Sequence, residues 1–297
     1  MGVHRYRLLE GMCLGFAGVG AFAAFLGGTG AFAMWRTGVS EAMFGAPGVV
    51  DALRPFSTAT LGILGGSIVG KWVAAWWLVR YPLAAGARWA WWALVAGLLG
   101  WFCLDGAVSV LHGAWFNILS INLAPLVLVG VPLWRARDGL QSQSRTPLPA
   151  RGKPLLAATI VFTLFGLVLT FAATAPIFDF YSAAIADAFF EGHAPPQATT
   201  WQSFIYGLVG ATFAAHFAML AWACVMAGGR LWVRSMVITS MLAWFCVDSA
   251  TGLIHGAYFN LLMVNVPSML VMAAAWWWAS SPDPRNPRVR GPDPAPE

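Results

Sequence analysis

Eight stretches of the sequence are long and apolar enough to cross a lipid bilayer as helices. A spanning helix needs about 20 mostly apolar residues, because the hydrocarbon core is roughly 30 Å thick and each helical residue advances about 1.5 Å. We expect the spans at residues 10–35, 58–79, 88–111, 114–134, 154–176, 202–226, 231–254 and 257–279. Continuous apolar runs of this length are not the alternating pattern of a membrane barrel, so the predicted fold class is all-α integral membrane.

The composition agrees with a lipid environment. Of the 297 residues, 59% are apolar and only 10% are charged, and the mean hydropathy is +0.69. This leaves too little polar surface to cover a water-soluble domain. The chain is rich in tryptophan, with 17 residues, and this side chain is typical of membrane interfaces. The four cysteines show no CxxC spacing, so the sequence signals neither a disulfide framework nor a zinc site.

The basic residues predict the topology. Fourteen of the 17 lysines and arginines fall in the termini or in loops on one side of the predicted spans. By the positive-inside rule both termini are then cytoplasmic, and the net charge of +5 reflects topology and not a nucleic-acid partner. We expect a multi-pass protein of a bacterial cytoplasmic membrane, surrounded by the lipid bilayer.

The chain also repeats itself. Residues 101–122 and 244–265 share 12 identities in 22 positions at a shift of 143, which indicates a tandem duplication of a four-helix unit. Because each copy has an even number of helices, both copies enter the membrane from the same side. This predicts parallel repeats with a pseudo-twofold axis along the membrane normal. The predicted domains are a first membrane repeat at 1–134, a basic cytoplasmic linker at 135–153, a second membrane repeat at 154–279 and a disordered, proline-rich tail at 280–297.

A longer outer loop follows the first span of each copy, at residues 36–57 and 177–201. In the second loop, Phe178, Ile185 and Phe189 are spaced as one face of a short helix lying at the membrane interface. Such loops could roof a site that opens to the outer face, although ordinary connectors would look similar.

The repeated segment carries polar residues inside the predicted membrane. In the third span of each copy, a tryptophan, an aspartate and a histidine occur at positions i, i+4 and i+11, so they form one narrow stripe of the helix. The stripes consist of Trp101, Asp105 and His112 in the first copy and of Trp244, Asp248 and His255 in the second. A stripe facing lipid would be costly, so we expect both stripes to face the bundle interior, near the pseudo-twofold axis.

Asparagines extend this polar pattern. Asn117 and Asn260 open the span that follows each histidine, and Asn122 and Asn265 lie deeper in the same spans. Two interpretations stay open. The polar residues could form a path that descends from the outer face, or a hydrogen-bonded network that only shapes each hairpin.

Two further polar residues lie at membrane depth, Lys71 in the second span and His216 in the sixth. Lys71 is nine residues, about 13 Å, from Arg80 at the cytoplasmic end, which is far for its stem to reach the interface. The lysine could neutralise an intramembrane aspartate, hold an anionic substrate or move protons. A lysine that reaches the interface after all is the simpler alternative.

The same two spans carry small residues four positions apart. They are Gly62, Gly66 and Gly70 in the second span and, at a shift of 144, Gly210 and Ala214 in the sixth. Small residues at this spacing let two helix backbones approach closely in lipid, so the pattern predicts tight helix pairs.

Three functions fit these residues. The favoured one is a transporter of a small solute or of protons, whose path uses Asp105, His112, Asn117, Asn122, Asp248, His255, Asn260, Asn265, Lys71 and His216. An alternative is a membrane redox protein in which His112 and His255 bind haem or the polar residues handle a quinone. A third is a non-catalytic subunit of a membrane complex. No other metal site is predicted, because Asp105 and His112 are about 10 Å apart along one helix, and no catalytic residue is predicted.

Overall fold

The computed structural model describes residues 3–281, with side chains from residue 6 onward. This part of the chain contains eight helices long and apolar enough to cross a membrane, and it contains no β-strand. We number the helices α1 Val3–Leu26, α2 Phe56–Leu78, α3 Arg88–Leu111, α4 Leu123–Arg135, α5 Lys153–Ala172, α6 Pro196–Ala227, α7 Leu231–Ile254 and α8 Val266–Ser280. The predicted all-α fold with eight spans is confirmed, and the chain is a polytopic membrane protein.

Three π-helical turns lengthen these helices. Val79–Leu83 continues α2, Ile118–Asn122 leads into α4, and Leu261–Asn265 leads into α8. Each turn therefore belongs to a stretch that is long enough to span.

The first span is shorter than predicted. The apolar pattern extends to residue 35, but α1 ends at Leu26 and the next helix begins at Ala33. The break lies at two glycines followed by Thr29, whose hydroxyl accepts a hydrogen bond from the Ala31 amide at 3.3 Å and caps a 3-10 turn. Glycine and a capping threonine end the helix although the sequence stays apolar. The predicted tail at 280–297 lies mostly outside the described residues.

The eight helices run alternately up and down. We call the end that holds Gly113 and Gly256 the hairpin end, and the end that holds residues 136–149 the linker end. Arg80 pairs with Glu10 at 3.3 Å at the linker end, and the Arg151 guanidinium lies 5.7 Å from the Trp278 ring centre there. Both ends of the described chain therefore lie at the linker end.

Helices α2 and α6 form the centre of the bundle and are the most deeply buried spans. Helix α1 packs on α2, and α5 packs on α6. The third helix of each half crosses over, because α3 packs on α6 while α7 packs on α2. The halves of the chain are therefore interlocked, and each central helix touches both halves.

Small residues make the α2–α7 contact close. A Cβ atom added to Gly62, Gly66 or Gly70 would lie only 2.6–2.8 Å from a side-chain atom of α7. The α7 residues that they meet are Thr251, Asp248 and Trp244 in turn. The glycine pattern of α2 thus gives the tight helix pair that the sequence predicts, and its partner is the Trp–Asp stripe of the other half.

The predicted counterpart in α6 has a different partner. Gly210 and Ala214 face Gly166 and Thr170 of α5, not the third helix of the first half. The α6 residue that meets α3 is Gly207, where a Cβ would lie 2.7 Å from Val108. Gly207 corresponds to Gly62 at a separation of 145 positions, not 144.

Short helices cover the hairpin end at Ala33–Phe44, Val49–Ala52 and Asp179–Phe190. Phe178 and Ile185 are buried, and the Phe189 ring lies 5.5 Å from that of Phe56 and 6.2 Å from that of Phe259. The apolar face predicted for the interface therefore packs against the helix bundle.

An ion pair joins the two short helices Ala33–Phe44 and Val49–Ala52 that cover the hairpin end of the first half. The buried Arg36 guanidinium donates to Asp51 at 2.7 Å and to the Thr29 carbonyl at 2.8 Å. Burial acts to raise the pKa of Asp51, but the hydrogen bond and charge of Arg36, helped by the charge of Arg54, outweigh it and hold this pKa below its ordinary 3.8.

We predict that Gly66→Ala destabilises the protein by about 1–3 kcal/mol, since the new methyl group would meet the Asp248 backbone at 2.9–3.0 Å. The matched control is Gly106→Ala in α3, where a Cβ meets nothing within 4 Å. The control should keep or raise stability, because alanine favours helix by about 0.5–1 kcal/mol over glycine. The free energies of unfolding of both variants can be measured in mixed detergent micelles. If both substitutions change this free energy equally, the close α2–α7 contact is contradicted.

We predict that Asp51→Asn lowers the melting temperature at pH 7 and that this difference fades as the pH falls below the ordinary value of 3.8. The sign follows from the lowered pKa of Asp51, since the ion pair contributes stability above the unfolded-state pKa and loses it as the folded carboxylate takes up a proton. Asp138→Asn, which removes an exposed pair at the linker end, is the control and should change nothing. If the melting temperature of Asp51→Asn lies equally far below that of wild type at every pH, the stabilising role given to the Arg36–Asp51 ion pair is refuted.

Candidate functional site

The first polar cluster surrounds Asp105 near the hairpin end of α3. Its Oδ1 atom accepts hydrogen bonds from Asn122 at 2.6 Å, from Asn117 at 3.0 Å and from Ser109 at 3.5 Å. Asn117 also donates to the Ser109 hydroxyl at 3.0 Å. The aspartate and its asparagines are buried, so the amide groups supply the hydrogen bonds that water cannot supply there.

The second cluster surrounds Asp248 in the same way. Its Oδ1 atom accepts from Asn260 at 2.7 Å and from Asn265 at 2.9 Å. Its Oδ2 atom accepts from the Trp244 indole at 3.1 Å, and Asn265 also donates to Ser249 at 3.2 Å. The sequence thus brings one aspartate and two asparagines together twice.

Two backbone features of each hairpin bring these side chains together. Gly113 and Gly256 adopt positive φ angles of 71° and 75°, which lets the chain reverse directly after the histidine. The asparagines are five residues apart, a spacing that in an α-helix would separate them by about 140° around the axis. The π turn between them is wider, so both asparagines of a pair reach one carboxylate.

An aromatic donor from the covering helix completes each cluster. The Trp35 indole donates to Asn117 Oδ1 at 3.2 Å, and the Tyr181 hydroxyl donates to Asn260 Oδ1 at 2.8 Å. Burial, followed by the neighbouring Tyr206, raises the pKa of Tyr181 well above its ordinary 10.0, so this phenol keeps its proton. The two tyrosine oxygens lie 2.8 Å apart. Because Tyr181 gives its proton to Asn260, Tyr206 is the donor between them.

A cavity of about 210 Å³ opens beside the second cluster. Its polar lining consists of Asp248, Asn260, Tyr181, Tyr206, Trp244 and Ser268, and the other lining residues are apolar. Phe180 and Met263 in the lining are exposed, so the cavity reaches the surface of the protein near the hairpin end.

Lys71 lies in the middle of α2 and is 2% exposed. Its Nζ atom has no hydrogen-bond partner and lies 3.7 Å from the ring centre of Trp101 and 4.9 Å from that of Trp72. No carboxylate of the described residues lies within 4.0 Å of this atom. A buried ammonium over two indole faces is a cation–π contact.

His216 is a second buried polar residue at membrane depth, in α6. It lies 145 positions after Lys71, the same separation as that between Gly62 and Gly207. Its Nε2 atom lies 3.1 Å from the Ser240 hydroxyl, and its Nδ1 atom is buried without a partner. No hydrogen bond joins it to Asp248.

The two motif histidines stand outside both clusters. His112 has its Nδ1 atom 2.9 Å from the Val108 carbonyl and its Nε2 atom 3.1 Å from Ser203 of α6. Both ring nitrogens are therefore occupied, and binding haem iron would require one of these bonds to break. His255 is half-buried at the end of α7, where burial lowers its pKa below the ordinary 6.5.

No group of three or more histidine, cysteine or acidic side chains in the described part of the chain could hold a metal ion. Comparisons with protein-family models, with curated proteins and with solved structures find no match to the chain. The site is therefore interpreted from its own geometry.

The structure gathers most of the predicted polar residues but separates some. Asp105, Asn117 and Asn122 form one cluster, Asp248, Asn260 and Asn265 form the other, and both histidines of the motif lie apart. Sequence reasoning missed the aromatic donors Trp35 and Tyr181. The sequence shows only that each stands three positions after a phenylalanine, Phe32 or Phe178, whereas the 3-10 turns that end at these phenylalanines are seen only in the structure.

We predict that Lys71 and Asp105 are energetically coupled. Lys71→Met and Asp105→Asn should each destabilise the protein by leaving the other charge buried, and the double variant should recover at least about 1 kcal/mol of the summed loss. The control cycle combines Lys71→Met with Asp248→Asn, since Lys71 lies over the indole of Trp101, whereas Asp248 bonds to the indole of Trp244. Both cycles are measured as free energies of unfolding. If the losses caused by Lys71→Met and Asp105→Asn simply add in the double variant, the coupling is refuted.

Proposed function

We propose that this protein binds and transports a small solute through the membrane and that the cavity beside Asp248 is its binding site. One observation carries the proposal: a cavity of about 210 Å³ has an apolar wall and a buried carboxylate at its polar end. Apolar cavities with a few convergent polar groups are the usual form of small-molecule sites. An engineered cavity of about 150 Å³ holds benzene, so a ring with a short polar substituent fits this one.

The arrangement of the two halves supports transport. The second half recurs in the order of the first, with equivalent hairpins, π turns and Asp–Asn clusters. We take the halves to be parallel duplicates related by a pseudo-twofold axis along the membrane normal. Parallel repeats related in this way occur in known transporters, and Ile63 of the first half lines the cavity together with residues of the second half.

The distribution of basic residues supports an orientation. The linker end carries most of the arginines, so by the positive-inside rule it faces the cytoplasm, together with both termini. The hairpin end and the mouth of the cavity then face outward. A solute would enter from the outer side, at the level of the covering helix Asp179–Phe190.

Buried titratable groups support coupling to protons. Lys71, Asp105, His216 and Asp248 lie inside the bundle and are each at most 4% exposed. Groups of this kind inside a membrane protein commonly serve proton relays.

We predict that Val264→Trp, which fills the cavity, abolishes transport while the fold is kept. The matched control is Ile121→Trp, the residue 143 positions earlier, which does not line this cavity. Uptake of radiolabelled benzylguanidinium and benzenesulfonate into proteoliposomes measures the effect, because solutes that stay charged at neutral pH cross lipid slowly.

Wild type and Ile121→Trp should show saturable uptake of at least one solute above protein-free liposomes, and Val264→Trp should not. Equal uptake by Val264→Trp and wild type would place the path elsewhere. If folded wild type gives no saturable uptake of either solute, the proposed transport is refuted.

A further inference from the structure

The geometry points to an organic cation as the ligand of the Asp248 cavity, with an ammonium group carried on a small apolar body. This inference rests on the proposed function and specifies the chemical class of the solute. It follows from the hydrogen-bonding capacity that the cluster leaves unused, from the aromatic wall and from the contrast with the first half.

The donors of the second cluster are all engaged within the protein. Asn260 donates to Asp248 and, at 3.4 Å, to Asn265, while Asn265 donates to Asp248 and Ser249. Trp244 donates to Asp248, and Tyr181 donates to Asn260. Because the Tyr181 proton is used there, Tyr206 is the donor in its hydrogen bond with Tyr181. Of the polar side chains that line the cavity, only the Ser268 hydroxyl still has a proton to give.

The hydrogen-bonding capacity that the cluster leaves unused belongs to acceptor oxygens. Asp248 Oδ2 accepts one bond, from Trp244, and a carboxylate oxygen has room for a second. The Tyr206 oxygen accepts no hydrogen bond from the described residues. A ligand that donates hydrogen bonds therefore matches the cavity, whereas a carboxylate, phosphate or ketone would place acceptor against acceptor.

The charge of the cluster is also uncompensated. No lysine or arginine lines the cavity, and among the described residues no basic side chain forms an ion pair with Asp248 within 4.0 Å. A buried carboxylate without a counterion is costly, so a positive ligand gains from it. Eight of the 17 lining residues are aromatic, among them Phe213 and Trp244, and aromatic faces attract organic ammonium groups.

The first half shows what such a cation would replace. Asp105 has two asparagine partners, as Asp248 has, but in the first half the Nζ atom of Lys71 lies 3.7 Å from the ring centre of Trp101, one helical turn from Asp105. In the second half the position of Lys71 is taken by His216, which bonds to Ser240. The protein thus supplies its own ammonium group to one aspartate and leaves the other with an open cavity.

The test compares three probes of one shape by calorimetric titration of the full-length protein in detergent. Benzylammonium is charged and donates hydrogen bonds, benzyl alcohol donates without charge, and ethylbenzene does neither. We expect benzylammonium to bind at least tenfold more tightly than either neutral probe. Asp248→Asn should remove this preference, while Asp105→Asn, the matched change in the first cluster, should keep it.

Tyr206→Phe is a second test that remains available if Asp248→Asn does not fold. It removes one hydrogen-bond acceptor from the cavity and leaves the carboxylate in place. It should weaken benzylammonium binding several-fold and leave ethylbenzene binding unchanged. If the neutral probes bind as tightly as benzylammonium, the ligand class is wrong while the cavity remains a binding site. If no probe binds to folded wild type, both the ligand class and the proposed binding function fail.

Discussion

A buried carboxylate in a membrane needs hydrogen-bond donors from the protein itself, and the rest of this structure depends on meeting that need twice. Around Asp105 and Asp248 the donors are asparagine amides, which must come from the neighbouring helix because a helix backbone has no free N–H groups in its interior. The sharp reversal at Gly113 and Gly256 and the π turn after it put two amides in reach. The local irregularities of the hairpins are therefore the means by which the carboxylates are satisfied.

The same requirement accounts for the interlocked halves. The Asp248 side chain must be shielded from lipid, and Gly66 of α2 allows this helix to approach α7 closely at that position. At the first cluster, Gly207 of α6 in the second half lets α3 approach in the same way. The two clusters diverge only where the surrounding side chains differ. Lys71 lies near Asp105, whereas tyrosines and a cavity lie beside Asp248.

Hydropathy predicted the eight spans, since the length of an apolar run decides whether a helix can cross lipid. The end of α1 was misplaced because the glycines at 27 and 28 and Thr29 lie inside an apolar run. The motif predicted that its aspartates and asparagines belong together, because polar groups in lipid must find partners. It did not predict which helices would meet. In lipid, leucine packs on lipid tails as well as on another helix, so apolar faces carry little information about their partners. The position of Tyr206 and the cavity depend on which helices pack together, so the sequence did not predict them either.

The second aspartate cluster is built at a contact between the two halves of the chain, where α7 lies on α2. Cross-linking can test this contact at Trp77 and Thr239, whose side chains join the two helices through a 2.7 Å hydrogen bond. The protein would carry Trp77→Cys and Thr239→Cys in a background without its four native cysteines, with a protease site inserted after Ser144 of the linker. After treatment with a short bifunctional thiol reagent and cleavage, the account predicts one band of about 32 kDa for the pair and two half-size bands for either single cysteine. Separation of the halves in the double-cysteine protein would contradict it.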